Sequence, residues 1–183
     1  QYDTITEVMW VTGAALFIRL ADYREVGGLD DHFFAHMEEI DLCWRLRSRG
    51  KKLVCIPQSV VYHVGGATLK KENPRKTFLN FRNNLLMLYK NLPDKELEHV
   101  LFIRGILDRV AALVFYLKKD RANARAVMQA RREFEDIRYS FAASRIENIM
   151  KSTDEMIPER THFSILMKYY LLGKKHFSQL KLF

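Results

Sequence analysis

The 183-residue chain has little of what usually announces a small protein's chemistry. It has two cysteines, Cys43 and Cys55, too few for a disulfide framework or a four-ligand zinc site, and this scarcity fits a reducing compartment. Eight glycines and four prolines exclude collagen-like and low-complexity classes. There is no GxGxxG or Walker A run, so no familiar phosphate loop, and no helix-turn-helix, zinc-finger or RNA-recognition signature. No run of about 18 uncharged apolar residues occurs, so a membrane-spanning helix is not expected. The chain opens QYDTITE, with neither Met nor a basic-then-apolar leader, and reads as a cut through a longer protein.

What is present is a globular composition, 48% hydrophobic and 28% charged, with a net charge of +8. That charge is unevenly placed. Residues 1–66 carry 7 Lys and Arg against 9 Asp and Glu, a net −2; residues 67–183 carry 23 against 13, a net +10. The acidic part looks like a site, and the basic part like a binder of anionic surfaces, nucleic acid or lipid headgroups.

The hydrophobic patterning divides the chain in the same way. Residues 7–12 and 14–19 read as extended segments meeting at Gly13, and residues 52–56 and 59–64 as two further strands, closed by Pro57 and by Gly65-Gly66. A short helix over 20–26 ends at Gly27-Gly28. In a second helix Met37, Ile40 and Trp44 share one stripe, and Gly50 follows its end. From Pro74 onward the pattern is helical: 74–91, 95–119 after an Asp94 cap, a highly charged 121–149, a loop over 152–158, a helix over 161–172 and a basic-aromatic tail, KKHFSQLKLF.

Four constellations could carry chemistry. Glu38, Glu39 and Asp41 crowd three carboxylates onto one helical turn. Asp41 can pair with Arg45 at i, i+4, which leaves Glu39 the least committed; crowding raises a carboxyl's proton affinity and suits a general base. Acids in a first turn also simply stabilise the helix dipole. His63 ends an apolar strand beside a glycine pair, as a metal or phosphate contact or as a structural histidine. Asn80, Arg82, Asn83 and Asn84 offer a phosphate grip on a helix, or a solvated polar face. Thr12, Gly13 and Ala14 would let a substrate lie against backbone, or allow close strand packing.

Taken in order, VTGAALFIR, EVGGLDDHFFAHMEEIDLCWRLRSRG, KLVCIPQSVVYHVGG and NFRNNLLML resemble the carboxyl-terminal half of a family 2 glycosyltransferase with a GT-A fold, above all the rhamnosyltransferase-like and galactofuranosyltransferase-like members. The resemblance covers residues 7–91. It implies an α/β fold class, a partial GT-A domain over 1–91 followed by a basic α-helical extension over 92–183. It implies that Glu39 is the base that deprotonates an acceptor hydroxyl for inverting attack on the anomeric carbon, with Glu38 and Asp41 shaping the acceptor pocket. Thr12, Gly13 and Ala14 would line the sugar cleft, and Arg45, Arg82 and Asn83 would contact substrate, the last two near the diphosphate. His63 would help hold a divalent metal, Mn²⁺ or Mg²⁺, against the departing nucleoside diphosphate.

The base position is often Asp in the family and is Glu39 here, a longer arm with the same chemistry. The family's Asp-x-Asp and nucleotide-binding βαβ start are missing from the chain, so the resemblance implies a fragment, inactive alone. The partners it implies are a nucleotide-sugar donor and a glycan or lipid-linked acceptor in bacterial cell-envelope polysaccharide synthesis, at the cytoplasmic face of the membrane, with no nucleic acid. The helix over 95–119 and the segment 161–183 mix aromatics or leucines with Lys and Arg. That suits a helix in the headgroup plane, or equally a helical subdomain packed internally or in a dimer. The rival reading is a non-enzymatic basic helical module on anionic membrane or nucleic acid.

Overall fold

The computed structural model describes residues 3–64, 73–153, 157–158, 160, 165–170, 172–176 and 179. Within them the chain is mostly helical with one small sheet. β1 (Thr6–Glu7) pairs antiparallel with β2 (Val54–Cys55), Thr6 opposite Cys55 and Glu7 opposite Val54. Val8 extends the pairing by donating to the Leu53 carbonyl at 3.0 Å. The helices are α1 (Leu20–Glu25), α2 (Glu38–Ser48), α3 (Pro74–Asn91), α4 (Asp94–Leu117), α5 (Arg121–Ile137), α6 (Ala142–Met150) and α7 (Ile165–Tyr170). Short 3₁₀ turns lie at Gly13–Ala15, Asp31–Phe33 and Arg138–Phe141.

The helix ends follow local rules. Gly27 and Gly50 close α1 and α2 with positive φ of 82° and 73°. At each, the glycine N–H and the next N–H reach back to the last turn: Gly27 to Arg24 and Gly28 to Tyr23, Gly50 to Arg47 and Lys51 to Leu46. Asn73 caps α3 by accepting from Arg75 N–H at 2.9 Å, with Pro74 in the first turn. Asp120 caps α5 through Asn123 N–H at 3.0 Å.

Several expectations are corrected. The extended segment over 14–19 is no strand: Gly13–Ala15 turn as a 3₁₀ helix and Phe17 stands 89% exposed. The strand over 52–56 shrinks to two residues, and 59–64 runs unpaired and exposed, Tyr62 at 96%. A strand's N–H and C=O groups need neighbours, and the described residues supply one short pairing for these segments. Asp94 does not cap α4: Pro93 holds that position, and the Asp94 carboxylate meets Arg145 instead. The helix over 121–149 is broken by the turn at Arg138–Phe141 into α5 and α6. The Gly65-Gly66 stop, residues 154–156 of the loop, residues 161–164 and 171 of the last helix and residues 177, 178 and 180–183 of the tail lie outside the described residues.

Two cores flank α2. One joins Phe33 and Trp44 to Leu85, Leu86 and Tyr89 of α3, Phe134 of α5 and Phe141; Met37 and Ile40 pack on it, as the stripe predicts. The other holds Val26, Leu42, Cys43, Leu46 and Leu53. Buried from both sides, α2 fixes its first turn against α3.

Candidate active site

The turn entering α2 is held in an unusual backbone. Phe34, His36 and Met37 all have positive φ, at 60°, 70° and 76°. Three left-handed non-glycine residues within four positions cost energy that the surroundings must supply. The supply comes from α3. The Asn83 amide, fully buried, donates to the carbonyls of Phe33, Ala35 and His36, each at 2.8 Å. Arg82 adds a bond to the His32 carbonyl at 2.8 Å and is itself tied to Glu133 at 2.7 Å and to the Asn83 side-chain oxygen at 3.0 Å. The structure therefore uses Arg82 and Asn83 to hold the turn.

Asp41 lies deeper in the same turn of α2. It is fully buried, and its carboxylate accepts from Arg45 at 2.8 Å, Lys90 at 2.9 Å and Asn91 at 2.7 Å. Arg45 also donates to the carbonyls of Val26 and, at 2.8 Å, Gly28; Lys90 also reaches Asp30 at 2.7 Å. The i, i+4 pair of Asp41 and Arg45 is present as spacing predicts, and both side chains are spent on it.

Glu38 and Glu39 are different. Each is half-buried with one carboxylate oxygen, Oε2, that has no hydrogen-bond partner among the described residues. Burial pushes the Glu39 carboxyl above its ordinary value; the Glu38 charge adds to this, while the Glu39 backbone N–H and the charge of His36 act the other way. Gly13 lies against it: a Cβ there would sit 3.9 Å from the Glu39 Cβ. Thr12 shapes that turn by accepting from Ala14 N–H at 3.4 Å, and all of Thr12, Gly13 and Ala14 are exposed. Two further buried polar atoms without partners, His36 Nε2 and Asn84 Oδ1, belong to the same region, Asn84 touching the Met37 sulfur at 3.9 Å. The arrangement sets a proton-affine carboxylate, with one buried and unsatisfied oxygen, beside an exposed backbone turn.

His63 is exposed in the unpaired 59–64 segment and joins no hydrogen bond or ion pair among the described residues. No cluster of three or more metal-ligand side chains includes it among those residues. The one such cluster is Asp30, Asp31 and His32, whose ligand atoms lie within 4.8 Å of one another. Asp30 is already engaged by Lys90 and by His32 at 2.9 Å. Sequence reasoning missed Lys90, Asn91 and His36. The spacing Asn83, Lys90, Asn91, one face of α3 over two turns, was a signal for the first two.

The curated relatives this chain matches are glycosyltransferases. It is 31% identical over 141 residues to the pre-mycofactocin glycosyltransferase of Mycobacterium tuberculosis, covering 71% of this chain and 29% of that protein. It is 38% identical over 56 residues to the N-acetylglucosaminyl-diphospho-decaprenol L-rhamnosyltransferase of the same organism, 31% of this chain and 18% of the relative. It is 36% identical over 61 residues to rhamnosyltransferase WbbL of Escherichia coli, 33% of this chain and 22% of the relative. The chain thus spans under a third of the length of these relatives. No family model matches it, and no solved structure does.

Proposed function

We propose that residues 1–91 form the acceptor side of an inverting family 2 glycosyltransferase of GT-A fold, with residues 92–183 as its helical extension. The sugar moves from a nucleotide-sugar donor to a glycan or lipid-linked acceptor in cell-envelope polysaccharide synthesis. The observation that carries this reading is the contrast within one helical turn: Asp41 is saturated by Arg45, Lys90 and Asn91, while Glu39 keeps an unpartnered oxygen and a raised proton affinity. One relative is named for N-acetylglucosaminyl-diphospho-decaprenol, a lipid-linked sugar, which supports an acceptor of that class.

The acceptor hydroxyl gives its proton to the Glu39 carboxylate as its oxygen bonds to the anomeric carbon. The bond from that carbon to the diphosphate breaks on the opposite face, so the centre inverts and the nucleoside diphosphate leaves. Glu38 lines the acceptor pocket beside the Thr12–Ala14 backbone. Asp41, Arg45 and Asn83 are positioning residues that hold the turn from which Glu39 projects. A metal, Mn²⁺ or Mg²⁺, would neutralise the leaving diphosphate. His63 is this chain's candidate ligand, but among the described residues it belongs to no cluster of three metal-ligand side chains, so those residues do not form that site.

A base of this kind is worth about 10²–10⁴ in rate. Glu39→Gln in the full-length protein is expected to lower sugar transfer by that factor, with its circular dichroism and melting cooperativity retained. Transfer at near the unmodified rate removes Glu39 from the role of base.

A further inference from the structure

The helical layer carries a surface that this transfer chemistry does not use. The buried positions of α4, Leu97, Gly105, Asp108 and Ala112, lie on one side of the helix. On the other side Phe102, Ile106, Val110, Leu113 and Leu117 are 51–70% exposed. At 3.6 residues per turn they form one apolar stripe about 22 Å long. Solitary exposed apolar side chains need no explanation, but a continuous stripe of five does.

The charge around the stripe is mostly positive. From Val100 to Lys119 the only acid is Asp108, buried and held by Arg104 and Arg131, each at 2.9 Å. Arg109 is exposed on α4, and Lys118 and Lys119 are exposed just past its end. Next to the stripe, α4 and α5 enclose an open groove of about 970 Å³, with Leu113, Tyr116 and Met128 among its apolar lining and Arg121, Arg125 and Arg132 as its cations. Its acids are Glu133, paired with Arg82 at 2.7 Å, and Asp136 in the last turn of α5.

We propose that this α4–α5 face docks on an anionic lipid bilayer. In this arrangement α4 lies in the headgroup plane, the stripe reaches the acyl boundary, and Arg121, Arg125 and Arg132 meet lipid phosphates. A bilayer supplies an apolar layer bordered by a plane of anions, the same order in which stripe and cations occur. A second copy would set one +10 segment against another. No helix among the described residues is long and apolar enough to cross a membrane, so the contact is one of lying on the surface. None of this depends on the transferase reading.

The test is sedimentation of the full chain with vesicles of phosphatidylcholine, with and without phosphatidylglycerol, at low and high salt. Binding is expected only with the anionic vesicles and is weakened by salt. Each cation at the surface is worth about fivefold, so Arg121→Gln/Arg125→Gln/Arg132→Gln is expected to lose about a hundredfold. Ile106→Asp/Leu113→Asp is expected to lose at least as much at either salt; if that pair fails to fold, Ile106→Ser/Leu113→Ser takes its place. Glu39→Gln binds like the unmodified chain, whether or not transfer survives in it. Absence of binding, or equal binding to neutral and anionic vesicles, overturns the proposal. So does a dimer in sedimentation equilibrium that the Asp pair dissolves, which would give the face to a second copy.

Discussion

The turn that opens α2 and the α4–α5 face hold charge in opposite ways. At the turn, Asp41, Arg45 and Lys90 have side chains no more than 6% exposed, and each satisfies two or more neighbours. On the face, Arg121, Arg125 and Arg132 stand in solvent along an open groove. Buried charges interact strongly because little water screens them, and the same lack of water makes a lone one expensive. Exposed charges act singly, add roughly, and fade with salt. The first arrangement fixes geometry for chemistry; the second provides attraction without a fixed partner geometry. Deletions should therefore be cooperative at the turn and additive on the face.

The sharpest break of that contrast is Asp41→Asn. It leaves Lys90 and Arg45 buried without their shared carboxylate, and removing one partner of such a pair costs about 3–5 kcal/mol. The low end, about 3 kcal/mol, is expected, because Lys90 keeps Asp30 and Arg45 keeps the Gly28 carbonyl. The denaturation midpoint measures it, and the loss should be nearly independent of salt. A loss that shrinks with salt would mean that the network behaves like surface charge.

Next in size is Asn83→Ala. It strips three carbonyls, that of Phe33 buried and those of Ala35 and His36 partly so, of their shared donor and releases the positive-φ turn over Phe34–Met37. A buried unsatisfied group costs about 1–3 kcal/mol, and part returns as the strained turn relaxes, so about 2 kcal/mol is expected. Hydrogen exchange should quicken over residues 32–37 and leave α5 unchanged. Asn83→Asp, which cannot donate when ionised and sets a buried charge against three carbonyl oxygens, should cost more than Asn83→Ala. Unchanged exchange in the turn would separate Asn83 from the positioning of Glu39.

These two residues mark how far sequence alone reaches. The helices were legible because a helix satisfies its own backbone and announces its ends locally, as at Asn73-Pro74, Gly27 and Gly50. The strands were not, because extended segments such as 14–19 and 59–64 become strands only when another segment lies beside them, and alternation does not say whether one does. In the site, the Asp41–Arg45 pair was legible from i, i+4 spacing. Lys90 and Asn91, which complete it from α3 some fifty positions later, were signalled only by sharing a face with Asn83, and no local rule places that face against α2. Asn83 was legible as a polar residue that matters. Its task of holding three carbonyls becomes visible only once that packing exists.

The smallest effect is also the most specific to the site, and it has the opposite sign. Burial holds the Glu39 carboxyl above its ordinary 4.5, so the ionised form is less welcome in the folded chain than in the unfolded one. Below pH 4.5 both states are protonated and nothing is lost; as pH rises through the folded value the penalty grows to its full size and stays. Glu39→Gln removes the ionisable group and with it the penalty. The variant should melt slightly above the unmodified chain at neutral pH, and the two curves should converge as the pH falls to 4.5 and below. The gain is small because burial is partial and the Glu39 backbone N–H and the His36 charge offset part of it. A constant offset at every pH would trace the change to packing rather than charge. A variant less stable at neutral pH would mean that the Glu39 carboxylate is needed to hold the turn, like Asp41, and is not free to take a proton.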